Sequence, residues 1–134
     1  MRKINKIIIH CSDSDHSYHD NIHTIKQWHL QRGFSDVGYH YFINKVGKLE
    51  IGRRIKTVGA HSRGQNSSSI GICLSGKKTV LFTDMQFKTL AKLCFNLIDV
   101  FDLSVNEIYA HNNFNPGKTC PNFLVESFIE HYMG

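Results

Sequence analysis

Three side chains that can donate to a metal ion stand in two distant segments of the chain. His10 follows the apolar run Ile7–Ile9, while His111 and Cys120 stand nine residues apart in the second segment. Two imidazoles and one thiolate are a donor set for a zinc site that uses three protein ligands and keeps the fourth position open. We therefore predict that His10, His111 and Cys120 meet around one zinc ion per chain. Spacing alone leaves buried or surface histidines as an alternative, because the chain has nine histidines and four cysteines.

Two of these residues stand at the ends of predicted strands. Residues 6–10 are rich in β-branched side chains and end at His10, and residues 107–110 lead directly into His111. Residues 39–43 alternate as a strand does, residues 44–47 supply a turn that ends at Gly47, and residues 48–51 return. This arrangement predicts a β-hairpin. The predicted strands are residues 6–10, 39–43, 48–51, 70–74 and 107–110.

Helix signals separate the strands. Asn21 is a predicted N-cap with Gly33 as the stop, and Thr83 with Gln86 forms a capping box. The predicted helices are residues 22–32, 83–101 and 122–130, the last capped by Asn122, and a turn is predicted at 76–78. Alternating strands and helices with one antiparallel hairpin predict a single α/β domain over residues 1–134, with a central mixed β-sheet flanked by helices.

Four segments together resemble one enzyme family. They are Ile8–Ser12; Val37–Ile43 with Gly47 and Gly52-Arg53; Val58–His61 with Asn66 and Ser69–Cys73; and His111 with Lys118-x-Cys120-Pro121. In this order they resemble the zinc-dependent N-acetylmuramoyl-L-alanine amidases of the phage-lysozyme type, which are related to the peptidoglycan recognition proteins.

The resemblance implies a fold with a zinc site in a cleft at the sheet edge. It implies hydrolysis of the amide between N-acetylmuramic acid and L-alanine in bacterial peptidoglycan, with zinc on the three ligands above. Tyr39 and Lys118 are expected to be catalytic, and His40 and His61 to bind the peptidoglycan or muropeptide substrate. Asn112-Asn113 departs from the acidic residue that often follows the metal histidine in relatives.

Composition limits the partners and the compartment. The net charge of +5 favours a polyanion, and both cell wall and nucleic acid would satisfy it. No run of eighteen apolar residues predicts a membrane span, and residues 1–9 lack the apolar region of a signal peptide. We expect cytoplasmic synthesis, action on the wall after release by another factor, a monomer, and no need for nucleic acid.

Other functions stay open at this point. A non-catalytic peptidoglycan-binding module would fit the same segments, although such relatives typically lack the metal-binding cysteine. An amidase that recycles muropeptides is a further alternative, and some phage relatives also bind an RNA polymerase. A nucleic-acid binder, or a nuclease built on His111-Asn112-Asn113, would need a basic helix or an acidic metal cluster, and neither is visible.

Overall fold

Five strands form one β-sheet in the computed structural model, which describes residues 2–77 and 81–134. In chain order they are β1 (Lys6–Cys11), β2 (Tyr41–Ile43), β3 (Leu49–Ile51), β4 (Ser69–Leu74) and β5 (Ile108–Ala110). Across the sheet the order is β3-β2-β4-β1-β5. The β2–β3 pair is antiparallel and the other neighbouring pairs are parallel, so the predicted mixed sheet with an antiparallel hairpin is confirmed.

Two main helices begin where the sequence predicts. Helix α1 spans Ile22–Gln31, and the Asn21 side chain accepts a hydrogen bond from the Thr24 N–H at 2.8 Å. Helix α2 spans Asp84–Phe101 after a reciprocal capping box between Thr83 and Gln86. Each cap satisfies backbone N–H groups that the first helical turn leaves unpaired, which stabilises the helix start by about 1 kcal/mol.

The third helix differs from its prediction. Helix α3 spans Val125–Phe128 and continues as a π-helical turn over Ile129–Met133. Leu124 precedes it, so the predicted N-cap at Asn122 is wrong. Asn122 instead adopts a left-handed backbone with φ of +67°, which asparagine tolerates better than most residues.

Apolar side chains pack on both faces of the sheet. On one face, Ile7 and Ile9 join the larger hydrophobic cluster with Leu90 and Leu97 of α2. On the other face, Phe42 and Cys73 pack against Ile25 of α1. Because side chains alternate along a strand, His10 points away from Ile9 and toward the face that α1 covers.

Smaller differences lie at element ends. The predicted strand 39–43 starts at Tyr41, because the Tyr39 carbonyl accepts from the Arg53 N–H and pairs with a loop instead of a strand. The predicted turn 76–78 reaches Lys78, which lies outside the described residues. Within 2–77 and 81–134, no helix combines the length and apolar character needed to cross a bilayer.

Candidate metal centre

The sheet brings the two predicted histidine ligands together. Strands β1 and β5 are parallel neighbours with Ile9 opposite Ala110, so the next residue of each segment is a histidine at the same end of the sheet. The ring centroids of His10 and His111 are 4.3 Å apart. Because carboxyl ends of adjacent parallel strands meet at one edge, the register of β1 and β5 positions both ligands.

The third predicted ligand arrives from the loop after β5. The Asn112 N–H donates to the Cys120 carbonyl at 3.1 Å, and the Cys11 N–H donates to the Cys120 Sγ at 3.1 Å. One ligand atom from each of His10, His111 and Cys120 lies within 4.8 Å of the other two. This grouping matches the size and the donor chemistry of a three-ligand metal site.

Burial sets the protonation of these donors. The His10 side chain is almost fully buried, and desolvation, followed by the neighbouring histidines, holds its pKa well below the usual 6.5. Burial, followed by the charge of Lys118, also lowers the pKa of His111. Both imidazoles are therefore neutral at pH 7, which leaves a lone pair on each for a metal.

The pKa of the Cys120 thiol shifts in the opposite direction to those of the two histidines. Its hydrogen bond with the Cys11 thiol, followed by burial, raises the pKa of Cys120 above its usual range. Cys120 therefore keeps its proton at neutral pH in the metal-free protein. Metal binding requires the thiolate, so it must displace that proton.

The ligand group opens into a cavity of about 350 Å³. Its lining residues are His10, Cys11, Asp13, His29, Arg32, Phe34, Tyr39, Ala60, His61, His111, Lys118, Thr119, Cys120 and Asn122. The cavity lies at the sheet end beside the edge strand β5. It contains the three predicted metal ligands, both predicted catalytic residues, and one of the two histidines that were expected to bind substrate.

Tyr39 and Lys118 line this cavity from opposite segments of the chain. The Tyr39 ring lies 5.0 Å from the His10 ring, and burial raises the Tyr39 pKa well above 10. Its hydroxyl therefore stays protonated and can donate a hydrogen bond. Lys118 is exposed in the loop that ends in Cys120, and its backbone N–H donates to Asn115 at 2.9 Å.

The structure does not bring His40 to the cavity. Its side chain is fully buried, its Nδ1 accepts from the Gly71 N–H at 3.0 Å, and its Nε2 lies 2.8 Å from the Thr57 carbonyl. A carbonyl only accepts, so Nε2 carries the proton, and both ring nitrogens hold backbone groups in place. His61, in contrast, lines the cavity with its Nδ1 2.8 Å from Nε2 of His10.

The cavity also contains residues that sequence reasoning assigned elsewhere. His29 lies within the predicted helix 22–32 and has no predicted role in the site, yet it lines the cavity and its Nδ1 accepts from the Gly38 N–H at 2.7 Å. Arg32 adds a positive charge next to Phe34, with Cζ 5.3 Å from that ring. Asn122 places its Nδ2 3.3 Å from the Cys11 Sγ. No spacing in the sequence separates these residues from ordinary helix and loop positions.

The segment where the sequence departs from the acidic pattern has a structural explanation. The Asn113 Oδ1 accepts from the Ala110 N–H at 2.8 Å and closes the short 3₁₀ turn His111–Asn113. This bond fixes the turn immediately after β5, where His111 leaves the sheet. An asparagine therefore helps to hold this ligand segment in place without a carboxylate.

The sequence of this chain is similar to those of curated phage proteins. The endolysin of Enterobacteria phage T3 is 38% identical over 130 residues, which cover 92% of this chain and 84% of that protein. The endolysin of Escherichia phage T7 is 37% identical with the same coverage.

Solved structures agree with this fold. N-acetylmuramoyl-L-alanine amidase LysC from Clostridium intestinale URNW superposes with a TM-score of 0.87 and 27% identity, over 96% of this chain and 85% of that one. Wild-type Drosophila PGRP-LB gives a TM-score of 0.81 at 23% identity, over 98% of this chain and 82% of that one, which shows the fold alone.

A family model described as N-acetylmuramoyl-L-alanine amidase matches residues 1–123, nearly the whole chain. The match covers all four segments on which the resemblance was based, and it contains every residue of the ligand group. The predicted relationship is therefore confirmed, and this chain belongs to the N-acetylmuramoyl-L-alanine amidase family.

Proposed function

We propose that this chain hydrolyses the amide between the lactyl group of N-acetylmuramic acid and L-alanine in bacterial peptidoglycan, at a zinc ion held by His10, His111 and Cys120. The meeting of these three donors within 4.8 Å, in a cavity of an amidase-family chain, carries the proposal. The phage relatives are endolysins, which supports a role in lysis of the cell wall.

The donor set favours zinc over the hard cations. Magnesium and calcium prefer oxygen ligands, whereas two imidazoles and a thiolate suit zinc. His10 and His111 are neutral before binding, so they need no proton loss. Cys120 does, and zinc uptake at neutral pH should therefore release about one proton per chain.

Amide hydrolysis needs a nucleophile, a stabilised oxyanion and a proton for the leaving amine. A zinc ion held by His10, His111 and Cys120 would supply a Lewis acid and would lower the pKa of a bound water toward ~7. We assign to the Lys118 ammonium, which lines the cavity two residues before Cys120, the stabilisation of negative charge on the carbonyl oxygen. We assign to the protonated Tyr39 hydroxyl a hydrogen bond to that oxygen, because the Tyr39 ring lines the cavity 5.0 Å from the His10 ring. One such donor typically contributes ~10²–10³ in rate.

Charge at the cavity suits a substrate that carries peptide carboxylates. Arg32 and Lys118 line it together with one carboxylate residue, Asp13, and the chain has a net charge of +5. Positive groups around a cleft raise the local concentration of an anionic substrate. Wall binding should therefore weaken as the salt concentration rises.

Mass spectrometry of purified peptidoglycan after digestion tests the reaction. New free amino termini on L-alanine are expected because the bond broken is the one to the lactyl group. New reducing sugar ends without new amino termini would show a glycosidase and overturn the proposal. Intact peptidoglycan that nevertheless retains the protein would show a binding module.

Elemental analysis tests the metal centre separately. The purified wild-type protein should hold about one zinc per chain, because the site offers one set of three ligands. A variant with both His111→Ala and Cys120→Ala should lose the zinc while keeping its far-UV circular dichroism. Full zinc retention by that folded variant would overturn the ligand assignment.

A further inference from the structure

We propose that His61 is a positioning residue which, with Ser69 behind it, fixes the tautomer of His10 and makes His10 Nδ1 the donor to the metal. This inference rests on the proposed metal centre and deepens it. It assigns a donor atom that the ligand group alone leaves undetermined. It also gives His61 a role distinct from the substrate contact expected from the sequence.

The assignment starts from a backbone carbonyl. Ser69 Oγ lies 2.7 Å from the Gln65 carbonyl oxygen and 3.1 Å from His61 Nε2. A carbonyl can only accept, so the single hydroxyl proton of Ser69 is donated to Gln65. The Ser69 oxygen must then accept from His61, which places the ring proton of His61 on Nε2.

The same assignment of protons to donor and acceptor atoms extends to His10. With its proton on Nε2, the neutral His61 ring offers only a lone pair at Nδ1. That atom lies 2.8 Å from His10 Nε2, so His10 donates the hydrogen bond and carries its own proton on Nε2. The Nδ1 lone pair of His10 therefore stays free for a metal ion.

Two glycines leave the space that the His61 ring occupies. A Cβ built on Gly71 would lie 2.5 Å from Cγ of His61, and one built on Gly59 would lie 2.7 Å from its Cδ2. Both distances are shorter than real Cβ contacts, so the ring occupies space that only glycine leaves open. The Asn66 Oδ1 also accepts from the His61 N–H at 2.8 Å, which fixes the loop.

Burial makes the hydrogen bonds between Ser69 and His61 and between His61 and His10 important for metal binding. Ser69 is fully buried, and His10 and His61 are 1% and 9% exposed, so water has little access to replace a lost partner. Groups that orient metal-binding histidines typically account for 10–100-fold in metal affinity. His40 cannot serve as this partner, since both of its ring nitrogens are engaged elsewhere.

A matched pair of variants at one position tests the role. Asn and Leu have nearly the same shape, but His61→Asn keeps an oxygen that can accept from His10 Nε2, whereas His61→Leu does not. Zinc affinity is measured by competition with a chromogenic chelator, and thermal unfolding of the chelated proteins checks that both fold equally well.

We expect zinc to bind 10–100-fold more weakly to His61→Leu than to wild type, and His61→Asn to recover most of the loss. Equal affinity of His61→Leu and wild type would overturn the inference. Equal weakening of both variants would also overturn it, because the acceptor would then not matter. A wild type that binds no zinc would instead refute the proposed metal centre.

Nitrogen-15 NMR of histidine-labelled, chelated protein provides a readout that needs no metal. Long-range proton–nitrogen correlations should show His10 and His61 both protonated on Nε2. Ser69→Ala should convert part of the His61 population to the Nδ1–H form. A proton on Nδ1 of His10 in the wild type would overturn the tautomer assignment, and an unchanged His61 in Ser69→Ala would remove Ser69 from it.

Discussion

Chelation of the metal should leave a folded domain that still unfolds cooperatively. None of the proposed ligands His10, His111 and Cys120 belongs to either hydrophobic cluster, and the larger cluster lies on the sheet face opposite His10. A ligand present at 100 times its Kd stabilises the folded state by about 2.7 kcal/mol. For a chain of this length, that corresponds to a fall in Tm of about 10 °C when the metal is removed.

A core variant gives the scale for this experiment. Leu90 is fully buried in the larger cluster, and truncation of such a leucine typically costs about 2–5 kcal/mol. Zinc-loaded Leu90→Ala and chelated wild type should therefore lose similar amounts of Tm. Scanning calorimetry and far-UV circular dichroism, before and after zinc is restored, measure both. Loss of the helical signal at 25 °C on chelation would refute the reasoning and show a structural metal.

Two further predictions concern catalysis and acid stability. Tyr39→Phe and Lys118→Ala should each lower kcat by ~10² while zinc content persists, since neither side chain is a proposed ligand. Wall binding should stay largely intact, because Arg32 keeps a positive charge at the cavity of Lys118→Ala; digestion at the wild-type rate would remove both residues from the mechanism. Burial lowers the pKa of His29 and of His40 to about 4, so between pH 6.5 and 4 the unfolded chain binds more protons than the folded one. The free energy of unfolding of chelated protein should therefore fall below pH 6.5, by up to about 1.4 kcal/mol per pH unit for each histidine. Urea titrations at pH 7.5 and 5 with equal midpoints would contradict this.

Local signals explain why most elements could be predicted. The caps at Asn21 and Thr83 depend on side chains that bond within three residues, so sequence order alone identifies them. The apolar run before His10 needs only burial on both faces to form a central strand. The cap predicted at Asn122 failed because the same residue type also tolerates a left-handed turn, and local sequence does not separate these uses.

The residues of the candidate site could also be predicted only in part. The meeting of the three proposed metal ligands could be predicted because the family segments fix their order, although nine histidines and four cysteines leave the spacing alone ambiguous. His40 and His61 could not be distinguished, since each is a histidine near glycines. Their different positions depend on which backbone groups reach each ring, with Thr57 and Gly71 at His40 but Ser69 at His61. His29 lines the cavity because of the way α1 packs, and no local sequence pattern predicts that packing.

The sheet order has a consequence for synthesis on the ribosome. Strand β1 is synthesised before the other four strands, yet its partners are β4 and β5, and the last proposed ligand, Cys120, follows later still. A nascent chain interrupted anywhere before Cys120 lacks one of the proposed ligands, and one interrupted before Ile108 also lacks a neighbour for β1. Contacts between such distant segments form slowly, because the entropy of closing a long loop opposes them. Unfinished translation products of this chain are therefore expected to be inert toward the wall.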